Sequence, residues 1–290
     1  MIARLATLGA VLVLGVGVLG GGVLGGGGIA PAAAAPVDPP GVLTFGNLAR
    51  TYVLHVPPGP PAGLVINLHG AGMTGAEQAG LTNYNAVADG FGFAVAYPDG
   101  IDLSWADGRG ASIPDREGVD DVGFLAALID RLSRDLAVPP GRVFVTGLSA
   151  GAFMANRLAC DRADLVSAIA PVAGTLGTGV PCAPSRPVSV LAIHGTGDPV
   201  VPYTGGPMVG RGGPSDIISA AALAERWRQA DGCPGPFIAQ TAAGPVQRAA
   251  ALGCAGGTQV ELVSIDGGPH IWPAAMDASL ASAQFFASRV

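Results

Sequence analysis

The chain reads as an α/β protein, a mostly parallel sheet with helices on both faces. Two observations predict this. Short runs that are apolar throughout, rather than alternately apolar and polar, recur along the chain, as expected of strands covered on both sides. Between them lie stretches with helical spacing, set off by Gly/Pro turns, and strand and helix alternate in the order that parallel sheets require.

Each element follows from its local pattern. Arg50–Val56 and Leu64–Leu68 are predicted strands, split by a turn at Pro57 to Gly63. Glu77–Ala88 is expected as one helix, and Phe93–Tyr97 as a short buried strand closed by Pro98-Asp-Gly100. Leu125, Leu128, Ile129, Leu132 and Leu136 keep helical spacing behind a cap at Asp120 or Asp121. Arg142–Thr146, Ala168–Val172, Val188–Ile193 and Gln259–Ile265 are further strands; Ala152–Ala159, Ile217–Ala230 and Met276–Ser288 are helices. Gly205–Pro214 is expected either as a mobile loop over a site or as a plain surface insertion.

The 290 residues suit one domain with a substantial core. Charged residues make up 12%, well below the roughly 25% of ordinary soluble chains, but the apolar excess is mostly Ala and Gly. A net charge of −6 without a basic stripe argues against a nucleic-acid partner. Arg4, the apolar run Leu5–Ile29 and Ala30-Pro-Ala-Ala-Ala-Ala-Pro36 describe a signal peptide over 1–35, cut after Ala34 or Ala35. The alternative is an uncleaved anchor, which the clusters Gly20–Gly22 and Gly25–Gly28 weaken. Residues 36–48 are then a Pro/Gly-rich leader and 49–290 the folded domain. The expectation is a monomer without a membrane span after processing, secreted to the extracellular side or held at the cell envelope. Cys160, Cys182, Cys233 and Cys254 allow three pairings; the sequential one closes the shortest loops and is preferred. No metal-ligand spacing occurs, and no metal or other cofactor is expected.

Gly147-Leu-Ser-Ala-Gly151 stands between a strand and a helix. In a chain with 46 glycines the bare pattern carries little weight, but this setting lets Ser149 stand on a sharp turn with its hydroxyl exposed. A serine hydroxyl needs an imidazole to take its proton and an acid to orient that imidazole, and on such a sheet the partners follow in the order serine, acid, histidine. His55 and His69 precede Ser149, and His194 leaves no room for an acid before it. That leaves His270, in the loop between the last strand and the last helix. Asp198 follows a buried strand at its carboxyl end and is the preferred acid; Asp266 is the rival. Oxyanion donors are expected from the Ala150 N–H and from His69-Gly-Ala-Gly72, with Ala71 first and Gly70 second. His69 is then a structural histidine bracing that loop. Trp272, Trp105 and Tyr203 are candidates to wall a substrate pocket, although large aromatics are more often core. Asp120 and Asp121 read as a helix cap that also holds Arg109.

Taken together, Asn67-Leu-His-Gly70, Tyr97-Pro-Asp-Gly100, Asp107-Gly-Arg-Gly110, Val119-Asp-Asp-Val-Gly-Phe124, the Ser149 pentapeptide, Leu158-Ala-Cys-Asp161 and His194-Gly-Thr-Gly-Asp198 carry a resemblance over residues 50 to 273. The chain resembles the exported polyhydroxybutyrate depolymerase / feruloyl esterase family, related to carbohydrate esterases. The resemblance implies an α/β-hydrolase fold, cofactor-free ester hydrolysis and the triad Ser149, Asp198 and His270. Family members often carry another residue type where this chain has Ala71. The expected substrate is a small or oligomeric ester, with short hydroxyalkanoates first and feruloyl or acetylxylan esters as the alternative. A non-catalytic surface-binding protein and an acyltransferase on the same scaffold are the other classes.

Overall fold

A computed structural model describes residues 40–240, 243–273 and 275–290; the signal-peptide expectation lies outside them. The chain runs β1 (Pro40–Phe45), β2 (Leu48–His55), β3 (Gly63–Leu68), α1 (Gly75–Thr82), α2 (Tyr84–Phe91), β4 (Phe93–Pro98), α3 (Ile113–Glu117), α4 (Asp121–Asp135), β5 (Val143–Leu148) and α5 (Ala150–Asp161). It continues through β6 (Ala168–Val172), β7 (Ser189–Gly195), β8 (Gly206–Gly210), β9 (Gly213–Ile217), α6 (Ala220–Ala230), β10 (Ile238–Ala239), β11 (Val246–Ala251), β12 (Val260–Ile265) and α7 (Ala278–Ala287). Ten strands form one sheet in the order β1-β2-β4-β3-β5-β6-β7-β12-β11-β10, and β8 pairs with β9 apart from it. From β4 to β12 the neighbours are parallel; antiparallel pairs close both margins. The expected fold class is therefore the observed one.

Strict alternation along the central strands sorts the core into two layers. Leu64, Ile66 and Leu68 face Phe124, Leu128, Met154 and Trp227 on the side of α4, α5 and α6. Val65, Phe144, Val172 and Ile193 face Tyr84, Phe285 and Phe286 on the side of α2 and α7. Both faces being covered explains why β3, β4, β5, β6 and β7 are buried along their whole length. Sequential pairing of the cysteines holds: Cys160 joins Cys182 and Cys233 joins Cys254. No helix among the described residues is long and apolar enough to cross a membrane.

Four expectations need correction. Within the supposed leader, Pro40–Phe45 is an edge strand paired with β2; Pro is tolerated there because an edge strand leaves backbone groups outside the ladder. The helix expected over 77–88 is two, because Asn83 turns left-handed (φ 47°) between α1 and α2. Ile217 closes β9, and α6 starts after Ser219, whose hydroxyl accepts the Ala222 N–H. Asp120 does cap α4, through Gly123, but Asp121 pairs with buried Arg50 at 2.7 Å, while Arg109 is held by Asp107 at 2.7 Å and lies over the Phe153 ring.

Asp231 at the end of α6 is fully buried; its Oδ1 accepts the Val188 N–H at the start of β7, and Oδ2 has no hydrogen-bond partner among the described residues. Burial pushes this carboxyl up to about 6, against the pull of the Val188 N–H and, more weakly, of the nearby Thr258 hydroxyl. A pKa above the unfolded value means that the folded state holds the proton longer. Its contribution to stability is therefore complete below about pH 4 and is lost as pH rises to about 6. Asp231→Asn keeps an acceptor and removes the charge. It is expected to raise stability at neutral pH by about 1–3 kcal/mol and to flatten the loss between about pH 4 and 6, measured by denaturant melts across pH.

Candidate active site

The backbone at Ser149 is strained, with φ 54° and ψ −115° between β5 and α5. Two glycines permit it. A Cβ on Gly151 would lie 2.1 Å from the Leu68 carbonyl oxygen, and one on Gly147 would lie 2.7 Å from the same atom. Only glycine lets the elbow press against the end of β3. The Ser149 N–H donates to Val172 O at 2.9 Å, so the next strand also holds the turn. The Ser149 side chain is half-buried, and its hydroxyl is not bonded to any described residue.

That same approach brings the loop after β3 to the serine. A Cβ on Gly70 would be 3.7 Å from Ser149 Cβ. Among the described residues the N–H groups of Ala150, Ala71 and Gly70 have no acceptor, which leaves all three expected donors available. His69 sets the loop. Its Nδ1–H donates to Gly70 O at 2.8 Å, and its Nε2 accepts the Gly100 N–H at 2.9 Å. An imidazole that accepts at Nε2 must be neutral, and burial lowers its pKa accordingly. Gly100 itself cannot carry a side chain: its Cβ would sit 2.0 Å from Ser104 O. The Tyr97-Pro-Asp-Gly100 motif thus supplies the second anchor of this loop, and His69 is a bracing residue as expected.

The expected acid and base, Asp198 and His270, meet across two strands. Asp198 follows β7 and His270 follows β12, and these strands are parallel neighbours at the same sheet edge as the elbow. His270 Nδ1–H donates to Asp198 Oδ2 at 2.7 Å. Oδ1 accepts the N–H groups of Val200 and Val201, each at 2.8 Å. Burial would raise this carboxyl, but the bonds from His194, His270 and Val201 outweigh it and hold the group well below the usual carboxylate range. Asp266, the rival, is exposed and bonds to the Thr196 hydroxyl; it is a turn residue.

Sequence reasoning missed the part played by His194. Its Nε2–H donates to Val201 O at 2.9 Å and lies 3.4 Å from Asp198 Oδ2, so it locks the acid turn. The four-residue spacing of His194 and Asp198 was the available signal. Among the aromatic candidates, Trp105 is corrected: it is fully buried, and its Nε1–H holds His69 O at 3.0 Å, under the loop rather than in a pocket wall. Tyr203 is half-buried, bonded to the Ser264 hydroxyl at 2.6 Å and set edge-on to His194. Trp272 is tied to Ser279 at 3.1 Å. An apolar cavity of about 250 Å³, unforeseen in the sequence, lies between the His270 loop and the ends of β6, β7 and β12; Val172, Ala173, Ile193, Ile265, Pro269 and Ile271 line it.

His69→Leu removes both anchors of the loop. A drop in kcat of about tenfold to a hundredfold on a simple ester, with little change in KM, is expected from steady-state kinetics.

Comparison with known proteins gives a consistent result. A protein of Nocardia uniformis subsp. tsuyamanensis named as an esterase is 32% identical over 243 residues, 77% of this chain and 71% of that one. Feruloyl esterase C of Emericella nidulans is 30% identical over 244 residues, 80% of each. In fold, the chain is similar to an acetyl xylan esterase from Aspergillus awamori, with a TM-score of 0.60 at 16% identity, covering 86% of this chain and 100% of that one. It is also similar to an S-formylglutathione hydrolase from Agrobacterium tumefaciens, with a TM-score of 0.54 at 15% identity, covering 86% and 95%. The fold is that of α/β hydrolases. The family described as Esterase PHB depolymerase matches residues 50–227, more than half of the chain, and this protein belongs to it as a carboxylic ester hydrolase.

Proposed function

We propose that the protein is a secreted, monomeric serine esterase that cleaves short hydroxyalkanoate esters through Ser149, His270 and Asp198. One observation carries the assignment of roles: the 2.7 Å bond from His270 Nδ1–H to an ionised Asp198, set on the same sheet edge as the strained Ser149 elbow. With Nδ1 committed as a donor, Nε2 is left as the base. In the first step Ser149 Oγ bonds to the ester carbonyl carbon and its proton passes to Nε2. The carbonyl oxygen gains the negative charge between the N–H groups of Ala150 and Ala71 or Gly70. Such a donor is worth about 3 kcal/mol in the transition state. Collapse breaks the bond to the alcohol, which leaves with the proton from Nε2. Water then repeats the sequence on the acyl-serine and releases the acid.

The two disulfides support export, because such bonds persist in oxidising compartments. A second reading, a feruloyl esterase, is favoured by the relative of that name aligned along four-fifths of both chains.

Acid release from 3-hydroxybutyrate oligomers and from methyl ferulate, measured side by side, separates these readings. Oligomer cleavage supports the first and ferulate cleavage the second. Silence on both, with no fluorophosphonate labelling of Ser149, sinks the serine-esterase reading. Ser149→Ala is expected to abolish turnover. Asp198→Asn should lower kcat about 10³- to 10⁴-fold, because the amide no longer holds the required imidazole tautomer.

A further inference from the structure

The segment Gly205–Pro214 is neither a mobile loop nor a plain insertion. It forms most of the β8–β9 hairpin, outside the main sheet, and its tip is Gly210-Arg-Gly212. Both glycines lie against another backbone. A Cβ on Gly210 would be 2.7 Å from Ala111 O, and one on Gly212 would be 2.6 Å from the Ser112 carbonyl carbon. The Gly212 N–H donates to Ala111 O at 2.8 Å, and the Arg116 guanidinium binds Gly212 O. The hairpin base is held as firmly: Met208 and Ile217 pack with Phe153 of α5, one turn beyond Ser149, and Thr178 N–H donates to Asp216 O.

This seating leaves one long side chain at the tip, that of Arg211. Its Nη1 lies 3.8 Å from where a Cβ on Gly72 would stand, next to the oxyanion donor Ala71. Among the described residues its single ion pair is with Asp102, at 3.6 Å, with the two side chains 44% and 34% exposed. Asp102 and Leu103 are held at positive φ (49° and 52°), and Leu103 O accepts the Gly72 N–H at 2.8 Å. The Asp102 loop therefore positions the oxyanion loop and the cation together. In a chain of net charge −6, a partly exposed guanidinium beside the Gly72 turn, with no hydrogen bond among the described residues, is a local exception.

We propose that Arg211 is a specificity-determining residue that receives a carboxylate carried by the substrate, so that an ester bearing a free carboxylate is preferred over the same ester with that group capped. The inference rests on the esterase reading above. The Asp102 contact is long and solvent-exposed, so a substrate carboxylate can share the guanidinium, and the fork geometry of arginine suits a two-point grip. Because the site is open to water, the preference is modest and falls with salt.

The test compares kcat/KM for the linear 3-hydroxybutyrate trimer as free acid and as its methyl ester, in low and high NaCl, with wild type, Arg211→Gln and Arg211→Lys. The expected result is about a fivefold or greater preference for the free acid, weakened by salt, kept in part by Arg211→Lys. Arg211→Gln is expected to bring the ratio toward one through a higher KM for the acid. Equal use of both substrates by wild type overturns the proposal. So does an Arg211→Gln enzyme that loses both activities in the same proportion, which would make the Asp102 pair a structural tie. Failure of wild type to cleave either trimer would instead remove the hydroxyalkanoate-esterase reading on which the inference stands.

Discussion

The close approach of Gly147 and Gly151 to the Leu68 carbonyl is the constraint on which the site depends. It bends the chain at Ser149 into a conformation that a non-glycine residue adopts only under strain, and it places the end of β3 beside that bend. Ser149 and the loop after β3, the proposed nucleophile and oxyanion loop, are thereby set by one contact rather than two. A side chain at either glycine would meet backbone, which cannot swing aside as a side-chain tip can. The rest of the sheet holds the elbow rigid from both sides, through β3 and β6.

Around that contact stand two bracing systems of different chemistry. On the β3 side a buried neutral histidine, His69, links its own loop to Gly100, with the Trp105 indole fixing its carbonyl. On the β7 side Asp198 is charged, and four hydrogen-bonding groups share the load, His270, His194, Val200 and Val201, with Tyr203 set edge-on to the His194 ring. The first system keeps charge out; the second concentrates it where, on the proposed triad, an imidazolium would form.

Much of the fold was legible because β3 to β7 are covered on both faces, which makes their sequences apolar throughout and hard to mistake. The margins were not. Pro40–Phe45 has the local chemistry of a turn and becomes a strand only through its register with Leu48–Val53. The β8–β9 hairpin, rich in Gly and Pro, looks like a loop because its reason for being extended lies in the 111–112 backbone far along the chain. The pairing of His270 with Asp198 could be read from chain order. That Trp105 sits beneath His69, or that Asp121 answers Arg50 rather than Arg109, could not, since both follow from contacts between segments that no local pattern links.

The interleaved strand order also has a temporal side. The elbow needs only β3, β5 and β6, all of which leave the ribosome before Asp198, and β12 with its histidine must add beyond β7 later still. A nascent chain can thus shape its serine turn before the proposed base, His270, is in place. On the proposed triad, hydrolytic power arrives only when a late segment docks, and the chain is silent during its own synthesis.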